Sequence, residues 1–179
     1  MTAESGGLGR AEIVDLLTEV GGELDRRGVR GEMFLVGGAA MALVYDVRRS
    51  TRDVDAVFEP KAAIYEIAAL VADRHSLPPD WINDGVKGLL PGPDADAQEI
   101  LEVPGLRVSV ASARYLLALK VAAARVDRDA DDIRALAELC GLATAQEVLD
   151  LAVAIIGPQR PLLPKVQYLV EALFPDAEA

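Results

Sequence analysis

The order of apolar patterns along the chain predicts an α/β (α+β) fold: a small mixed β-sheet flanked by helices, followed by a helical C-terminal region. Two observations carry this prediction. Apolar runs of strand length alternate with stretches of helical periodicity up to about residue 110. Beyond that point, the apolar residues recur at helical spacing alone. Mixed sheets covered by helices arise from such an order of elements.

The first half of the chain alternates between helices and strands that are bounded by glycine or proline. The run that ends in Gly37-Gly38 is apolar throughout, which is typical of a strand buried on both faces. Pro60 ends the following strand, and Pro78-Pro79 ends the helix after it. The predicted elements are a helix over residues 10–27, a strand over 33–36, a short helix over 39–45, a strand over 53–58 and a helix over 61–74.

The second half begins with an irregular stretch over residues 80–97 and then forms a hairpin around Pro104-Gly105. Ser112 is the predicted N-cap of the helix that follows the hairpin. The remaining predicted elements are strands over 100–103 and 106–110 and helices over 112–126, 130–139, 145–156 and 162–173. We therefore expect a disordered tail over residues 1–9, a core over 10–110 and a helical region over 111–179 packed on that core.

Composition narrows the classes of function. The net charge of −11 argues against a broadly basic nucleic-acid binder, because phosphate contacts require Lys and Arg. It does not exclude a local basic groove. Cys140 is the single cysteine, so no intramolecular disulfide can form, and we expect a cytoplasmic protein. No apolar run reaches transmembrane length, and we expect no membrane association.

Asp53-Val54-Asp55 is the most informative motif. Side chains alternate along a strand, so the two carboxylates point to the same face and can converge on a cation. Magnesium is a hard cation that takes one or two carboxylates together with substrate phosphates. The alternative is a solvated strand edge.

Gly37-Gly38 lies fifteen residues before Asp53, between a predicted strand and a predicted helix. Without a Cβ, such a turn lets a phosphate approach the backbone closely. Arg48 and Arg52 precede the acidic pair and can neutralise a triphosphate. The alternative for the glycines is a tight turn that needs them for its geometry. The alternative for the arginines is a solvated charged loop.

Lys120 is the only charge between Arg114 and Arg125 in a helix rich in Leu and Ala. Its ammonium group must extend to water past the apolar methylene chain, or it must meet a carboxylate or a bound phosphate. Asp129 and Asp132 stand at the head of the apolar stripe of the next helix and can point inward. Their alternative is simple charge complementarity at a helix start.

Glu102 is a candidate third carboxylate, on a strand that we expect beside Asp53 and Asp55. His75 is the only histidine, and no useful cysteine spacing accompanies it, so zinc is not expected. No Ser-His-Asp arrangement is recognisable either.

Together, these motifs resemble the nucleotidyltransferase superfamily, whose fold is that of DNA polymerase beta. The resemblance covers about residues 30–140, and the Lys and Asp motifs narrow it to an AbiEii-like branch of small bacterial nucleotidyltransferases. The matching stretches are Phe34-Leu-Val-Gly-Gly-Ala-Ala-Met-Ala-Leu, Arg49-Ser-Thr-Arg-Asp-Val-Asp-Ala-Val-Phe, Leu116-Leu-Ala-Leu-Lys-Val-Ala-Ala-Ala-Arg and Arg128-Asp-Ala-Asp-Asp-Ile.

The resemblance implies the transfer of a nucleoside monophosphate from a nucleoside triphosphate (NTP) to a hydroxyl of an RNA, a protein or a small molecule. It implies Mg²⁺ or Mn²⁺ held by Asp53 and Asp55. Lys120 would contact phosphate, and Asp129 or Asp132 would serve as a ligand on the metal side or as a base. The nucleotide-binding residues that we expect are Gly37, Gly38, Arg48, Arg52, Lys120 and Arg125.

Other functions remain open at this point. The chain could bind nucleotides without catalysis, or act as an interaction protein of a toxin–antitoxin pair with a degenerate site. A toxin-like enzyme would have a cognate antitoxin as partner. The weakly polar C-terminal helices can also pair between two copies, so a homodimer is an alternative to their covering the core.

Overall fold

Strands and helices alternate through the first part of the chain, as the apolar patterns predict. The structure, a computed structural model, describes residues 7–45, 50–123 and 125–175. The elements up to residue 75 are α1 (Arg10–Arg26), β1 (Gly31–Leu35), α2 (Gly37–Ala40) with a π-helical turn at Met41–Tyr45, β2 (Val54–Glu59) and α3 (Lys61–His75).

The later elements include two short ones within the stretch predicted to be irregular. They are β3 (Ile82–Asn83), a 3₁₀ turn at Lys87–Leu89, β4 (Gln98–Val103), β5 (Leu106–Val110), α4 (Ala113–Ala123), α5 (Val126–Leu139), α6 (Ala145–Ile156) and α7 (Pro164–Leu173). Ser112 caps α4 as predicted, since its Oγ accepts a hydrogen bond from the Tyr115 amide at 3.2 Å.

The described strands form one mixed five-stranded sheet in the order β3-β2-β1-β5-β4. β1 lies at its centre, antiparallel to β2 and parallel to β5. Two hydrogen-bonded neighbours and apolar side chains suit β1 and β5 to the interior of the sheet. β4 carries two acidic side chains, Glu99 and Glu102, and lies at an edge, where charge discourages pairing with another chain. The predicted fold class is confirmed.

The two faces of the sheet differ in burial. Met33, Leu35, Ala56, Phe58 and Val108 are at most 2% exposed and lie on the face that α1 and α3 cover. Side chains at the alternate positions are partly or fully exposed, among them Glu32, Phe34, Asp55, Val57, Arg107 and Ser109. The strands therefore present a second, more open face that carries polar groups.

The chain divides into two compact units. A sheet unit comprises the described residues up to Gly88 and Asp96–Ala111, and a helical unit comprises Leu89–Ala95 and the described residues from Ser112 onward. In the helical unit, α4 contacts α5, α6 and α7. That the helical region packs on the core stays a prediction.

The N-terminal tail differs from the prediction at its end. Leu8 is buried, and its amide donates to the Thr51 carbonyl at 2.6 Å while the Thr51 amide donates back at 3.0 Å. This single bridge fixes the chain just before α1. Residues 1–6 of the predicted disordered tail lie outside the described residues. In the part of the chain that is described, no helix combines the length and the apolar character needed to cross a membrane.

Candidate functional site

The glycine turn and the acidic pair are in contact. Gly37 has a φ of +61°, and a Cβ placed on it would lie 2.9 Å from Asp55 Oδ2. A Cβ on Gly38 would lie 2.6 Å from Thr51 Oγ1. A Cβ at Gly37 would combine a strained backbone with this close approach, and a Cβ at Gly38 would force the buried Thr51 side chain to shift. The backbone of the turn thus lies directly against the carboxylate of β2.

Asp53 and Asp55 share the more open face of the sheet. Burial alternates from Asp53 through Val54 and Asp55 to Ala56, with both acids half-buried and both apolar residues buried. The Thr51 hydroxyl donates to the Asp53 carbonyl at 3.0 Å and so fixes the backbone before β2. The Asp53 carboxylate makes no hydrogen bond or ion pair with the described residues.

The pair fits a hard divalent cation by its donor set. Two carboxylates at alternate positions supply hard oxygen ligands, and Mg²⁺ usually completes its shell with water and substrate phosphates. Within residues 7–45, 50–123 and 125–175, no group of three or more acidic, His or Cys side chains could hold a metal. A cation at this site would therefore have Asp53 and Asp55 as its carboxylate ligands from the described part of the chain.

The arginines expected to bind phosphate are placed differently. Arg52 is exposed beside the acidic pair and makes no ion pair with a described residue. Arg125 is exposed at the residue before α5, in the helical unit. Arg48 lies outside the described residues. Arg52 thus directly precedes Asp53 in the sequence and is exposed, and its contact with phosphate stays a prediction.

Lys120, Asp129 and Asp132 form one cluster within the helical unit. Lys120 Nζ lies 2.7 Å from Asp129 Oδ1 and 2.8 Å from Asp132 Oδ2. The three side chains are only 14%, 11% and 7% exposed, respectively. Both acids point inward, as expected, and Lys120 meets their carboxylates. Its contact with phosphate stays a prediction.

Glu102 is not beside the acidic pair, so that expectation is wrong. Its strand, β4, is separated from β2 by β5 and β1, which corresponds to roughly 14 Å at the usual strand spacing. The apolar β5 pairs with β1 and leaves the acidic β4 at the edge. Glu102 is exposed there and lies 3.6 Å from Arg107 Nη2.

Two residues were not predicted to lie beside the acidic pair. Thr51 contacts the glycine turn and orients Asp53, and Asn83 pairs in register with Asp55 on the neighbouring strand. The Asn-Asp-Gly sequence at residues 83–85 is a recognisable turn signal. Because β3 has only two residues, no periodic pattern could place that turn beside β2.

A mixed sheet that brings a glycine turn against an acidic pair is consistent with a nucleotidyltransferase-like fold. The family model described as "Nucleotidyltransferase of unknown function (DUF6036)" matches residues 12–149. This match covers more than half of the chain, so the chain belongs to that family. No curated protein and no solved structure gives a significant match. The narrower AbiEii-like resemblance stays a prediction.

Proposed function

We propose that this chain transfers a nucleoside monophosphate from an NTP to a hydroxyl group, with Mg²⁺ or Mn²⁺ held by Asp53 and Asp55. The observation that carries the proposal is the contact between the glycine turn and Asp55. It joins a backbone that phosphates can approach with carboxylates that can bind a cation. Membership of the nucleotidyltransferase family supports the same chemistry.

The reaction forms a bond between the acceptor oxygen and the α-phosphorus of the NTP. It breaks the bond between the α-phosphorus and the bridging oxygen, and it releases pyrophosphate and the hydroxyl proton. A bound divalent cation supplies neutralisation of the phosphate charge. Asp53 and Asp55 hold that cation, the Gly37-Gly38 backbone faces the phosphates, and exposed Arg52 adds positive charge.

The acceptor is the open part of the proposal. An RNA, a protein and a small molecule each offer a hydroxyl. A toxin-like role, a cognate antitoxin, a homodimer and a cytoplasmic location stay predictions from the sequence. The test therefore has to detect transfer without assuming the acceptor.

Pyrophosphate release is that test. The protein is incubated with each of the four NTPs and Mg²⁺ or Mn²⁺, with total bacterial RNA or a protein extract as acceptor. We expect metal-dependent release that the double variant Asp53→Asn, Asp55→Asn lowers by at least a hundredfold, because mutation of transition-state charge stabilisers costs about that factor. Asp73→Asn is the matched control, since the carboxylate of this exposed acid on α3 makes no hydrogen bond or ion pair with a described residue.

Release that persists in the double variant would contradict the mechanism. A second candidate, nucleotide binding without catalysis, is favoured by one observation: no third metal-binding side chain joins Asp53 and Asp55 among the described residues. That candidate predicts a metal-dependent thermal shift with an NTP, and no pyrophosphate release with any acceptor.

A further inference from the structure

Strand β3 places an asparagine beside the acidic pair. β3 runs parallel to β2, with Val54 opposite Ile82 and Asp55 opposite Asn83. Paired residues on neighbouring strands project to the same face, so Asn83 lies on the more open face with Asp55. Asp55 is therefore flanked by Gly37 from the side of β1 and by Asn83 from the side of β3.

The orientation of the Asn83 amide follows from its partner. The Gly85 backbone N–H approaches the side chain of Asn83 at 3.2 Å. A backbone N–H can only donate, so the atom that it meets must be the oxygen Oδ1. The two N–H groups of Nδ2 donate to no acceptor among the described residues. They can therefore donate a hydrogen bond to an oxygen of a ligand.

The turn that carries Asn83 is held from α3. The Asp84 carboxylate accepts hydrogen bonds from Lys61 Nζ and, at 2.6 Å, from Tyr65 Oη. These two donors hold the pKa of Asp84 below its usual range, so the carboxylate stays charged at neutral pH. The fully buried Trp81 donates from Nε1 to the Ala68 carbonyl at 2.9 Å. α3 thus fixes β3 on both sides of Asn83.

We propose that Asn83 contacts the substrate, with Nδ2 donating a hydrogen bond to an oxygen of the nucleotide bound at Asp53 and Asp55. The inference rests on the proposed function and deepens it. Asp84, Lys61 and Tyr65 are positioning residues, since they act on the substrate only through the turn. The proposed contact is a hydrogen bond from Nδ2 to the nucleotide, and it does not add a third ligand to the cation.

The composition of the chain supplies a direct probe. Asn83 is its only asparagine, so protein labelled with ¹⁵N in the asparagine side chain gives one pair of NH₂ signals. We expect this pair to shift when an NTP analogue that cannot be cleaved is added with Mg²⁺. Inorganic triphosphate is the second arm. A shift with both ligands assigns the contact to phosphate oxygen, and a shift with the nucleotide alone assigns it to the ribose or base.

Two variants separate the donor from the turn. Asn83→Asp keeps an oxygen for the Gly85 N–H but removes the donors, whereas Asn83→Ala removes both. We expect both variants to weaken nucleotide binding roughly tenfold to a hundredfold, as for a lost hydrogen bond to a charged group. Binding that falls in Asn83→Ala but not in Asn83→Asp would overturn the inference, because the side chain would then serve the turn alone.

The outcomes separate this inference from the proposed function. Pyrophosphate release by the wild-type protein, together with an Asn83 signal that does not move on nucleotide binding, would overturn the inference and leave the function standing. Absence of release, with no nucleotide-induced shift at Asn83 or, in protein labelled uniformly with ¹⁵N, at the Gly37 and Gly38 amides, would overturn both. A shift at Asn83 without release would support the contact and favour the binding-only candidate.

Discussion

Two groups of charged side chains, one in each unit, use the same residue types in opposite ways. In the helical unit, Lys120 lies within 2.8 Å of both Asp129 and Asp132, and the three side chains neutralise much of one another's charge away from water. In the sheet unit, Asp53 and Asp55 are half-buried on an open face, and the Asp53 carboxylate has no partner among the described residues. The ion pairs of Lys120 link α4 to α5, whereas the Asp53 carboxylate is available to a ligand.

The largest loss of stability that this comparison predicts is caused by the substitution Lys120→Met. The substitution leaves two buried carboxylates without their cation, which typically costs about 3–5 kcal/mol. Urea unfolding would measure the loss in the free energy of unfolding. The triple variant Lys120→Met, Asp129→Asn, Asp132→Asn should recover most of it. A stable Lys120→Met protein that no longer releases pyrophosphate would instead assign the lysine to phosphate.

A smaller effect is predicted at the glycine turn, where the chain offers a matched control. Gly28 and Gly37 have φ values of +67° and +61°, so alanine at either is strained by roughly 1–2 kcal/mol. A Cβ at Gly28 meets nothing within 4 Å, whereas one at Gly37 meets Asp55. Gly37→Ala should therefore lose more stability in urea and also lose pyrophosphate release, while Gly28→Ala keeps it. Equal activity in the two variants would break the link between the turn and the acids.

A third charged cluster lies between α1 and α3 and is partly exposed. It shows how much ion pairs contribute to stability when water reaches them. Arg74 Nη1 lies 2.8 Å from both Glu19 and Glu23, and His75 Nε2 lies 2.6 Å from Glu19. Hydrogen bonds from Arg74 and then His75 lower the pKa of Glu19 below its ordinary 4.5. Its contribution to stability is therefore complete above pH 4.5 and is lost as the pH falls through the lower pKa of the folded state.

Glu19→Gln checks this pH dependence. Exposed pairs contribute at most about 1 kcal/mol, so the variant should unfold slightly below the wild-type temperature at pH 7. The difference should shrink as the pH falls below 4.5, because the wild-type carboxylate then takes up a proton. Thermal unfolding between pH 7 and pH 3 measures both. A difference that grows on acidification would contradict the assigned direction of the pKa shift.

The smallest effect on stability is predicted for Asp53→Asn. The carboxylate has no described partner to lose, and its neutralisation removes repulsion from Asp55. The free energy of unfolding should change by less than about 0.5 kcal/mol. Urea unfolding provides the measurement. A large loss would mean that Asp53 is held by structural contacts, like Asp129 and Asp132, and would end the contrast between the two groups.

The sequence predicts most of the elements because their apolar residues are periodic over many positions. The helices beginning at Arg10 and Lys61 and the strand at Leu106–Val110 all appear, with ends within a few residues of the prediction. Strand order could not be predicted in the same way. The expectation that Glu102 lies beside Asp55 was wrong, because the pairing of β5 with β1 depends on contacts between distant segments.

The candidate site shows the same limit. Gly37, Gly38, Asp53 and Asp55 are recognisable because each residue type has a specific physical use in a short motif. Asn83 reaches Asp55 only through a strand of two residues and a turn held by Asp84, and no local pattern encodes that pairing. Sequence reasoning thus predicted the acids and the turn but did not place Asn83 beside them.

The division of the chain into units has a practical consequence. Leu89–Ala95 belongs to the helical unit although the segments on both sides of it belong to the sheet unit. In that stretch, Asp94 accepts hydrogen bonds from the Ser112 amide at 2.7 Å and from its hydroxyl at 3.1 Å, at the start of α4. No single cut in the polypeptide can therefore release either unit whole. A fragment that begins at Ser112 would lack the carboxylate that holds the N-cap residue of its first helix, so the helical unit should be expressed together with residues 89–95.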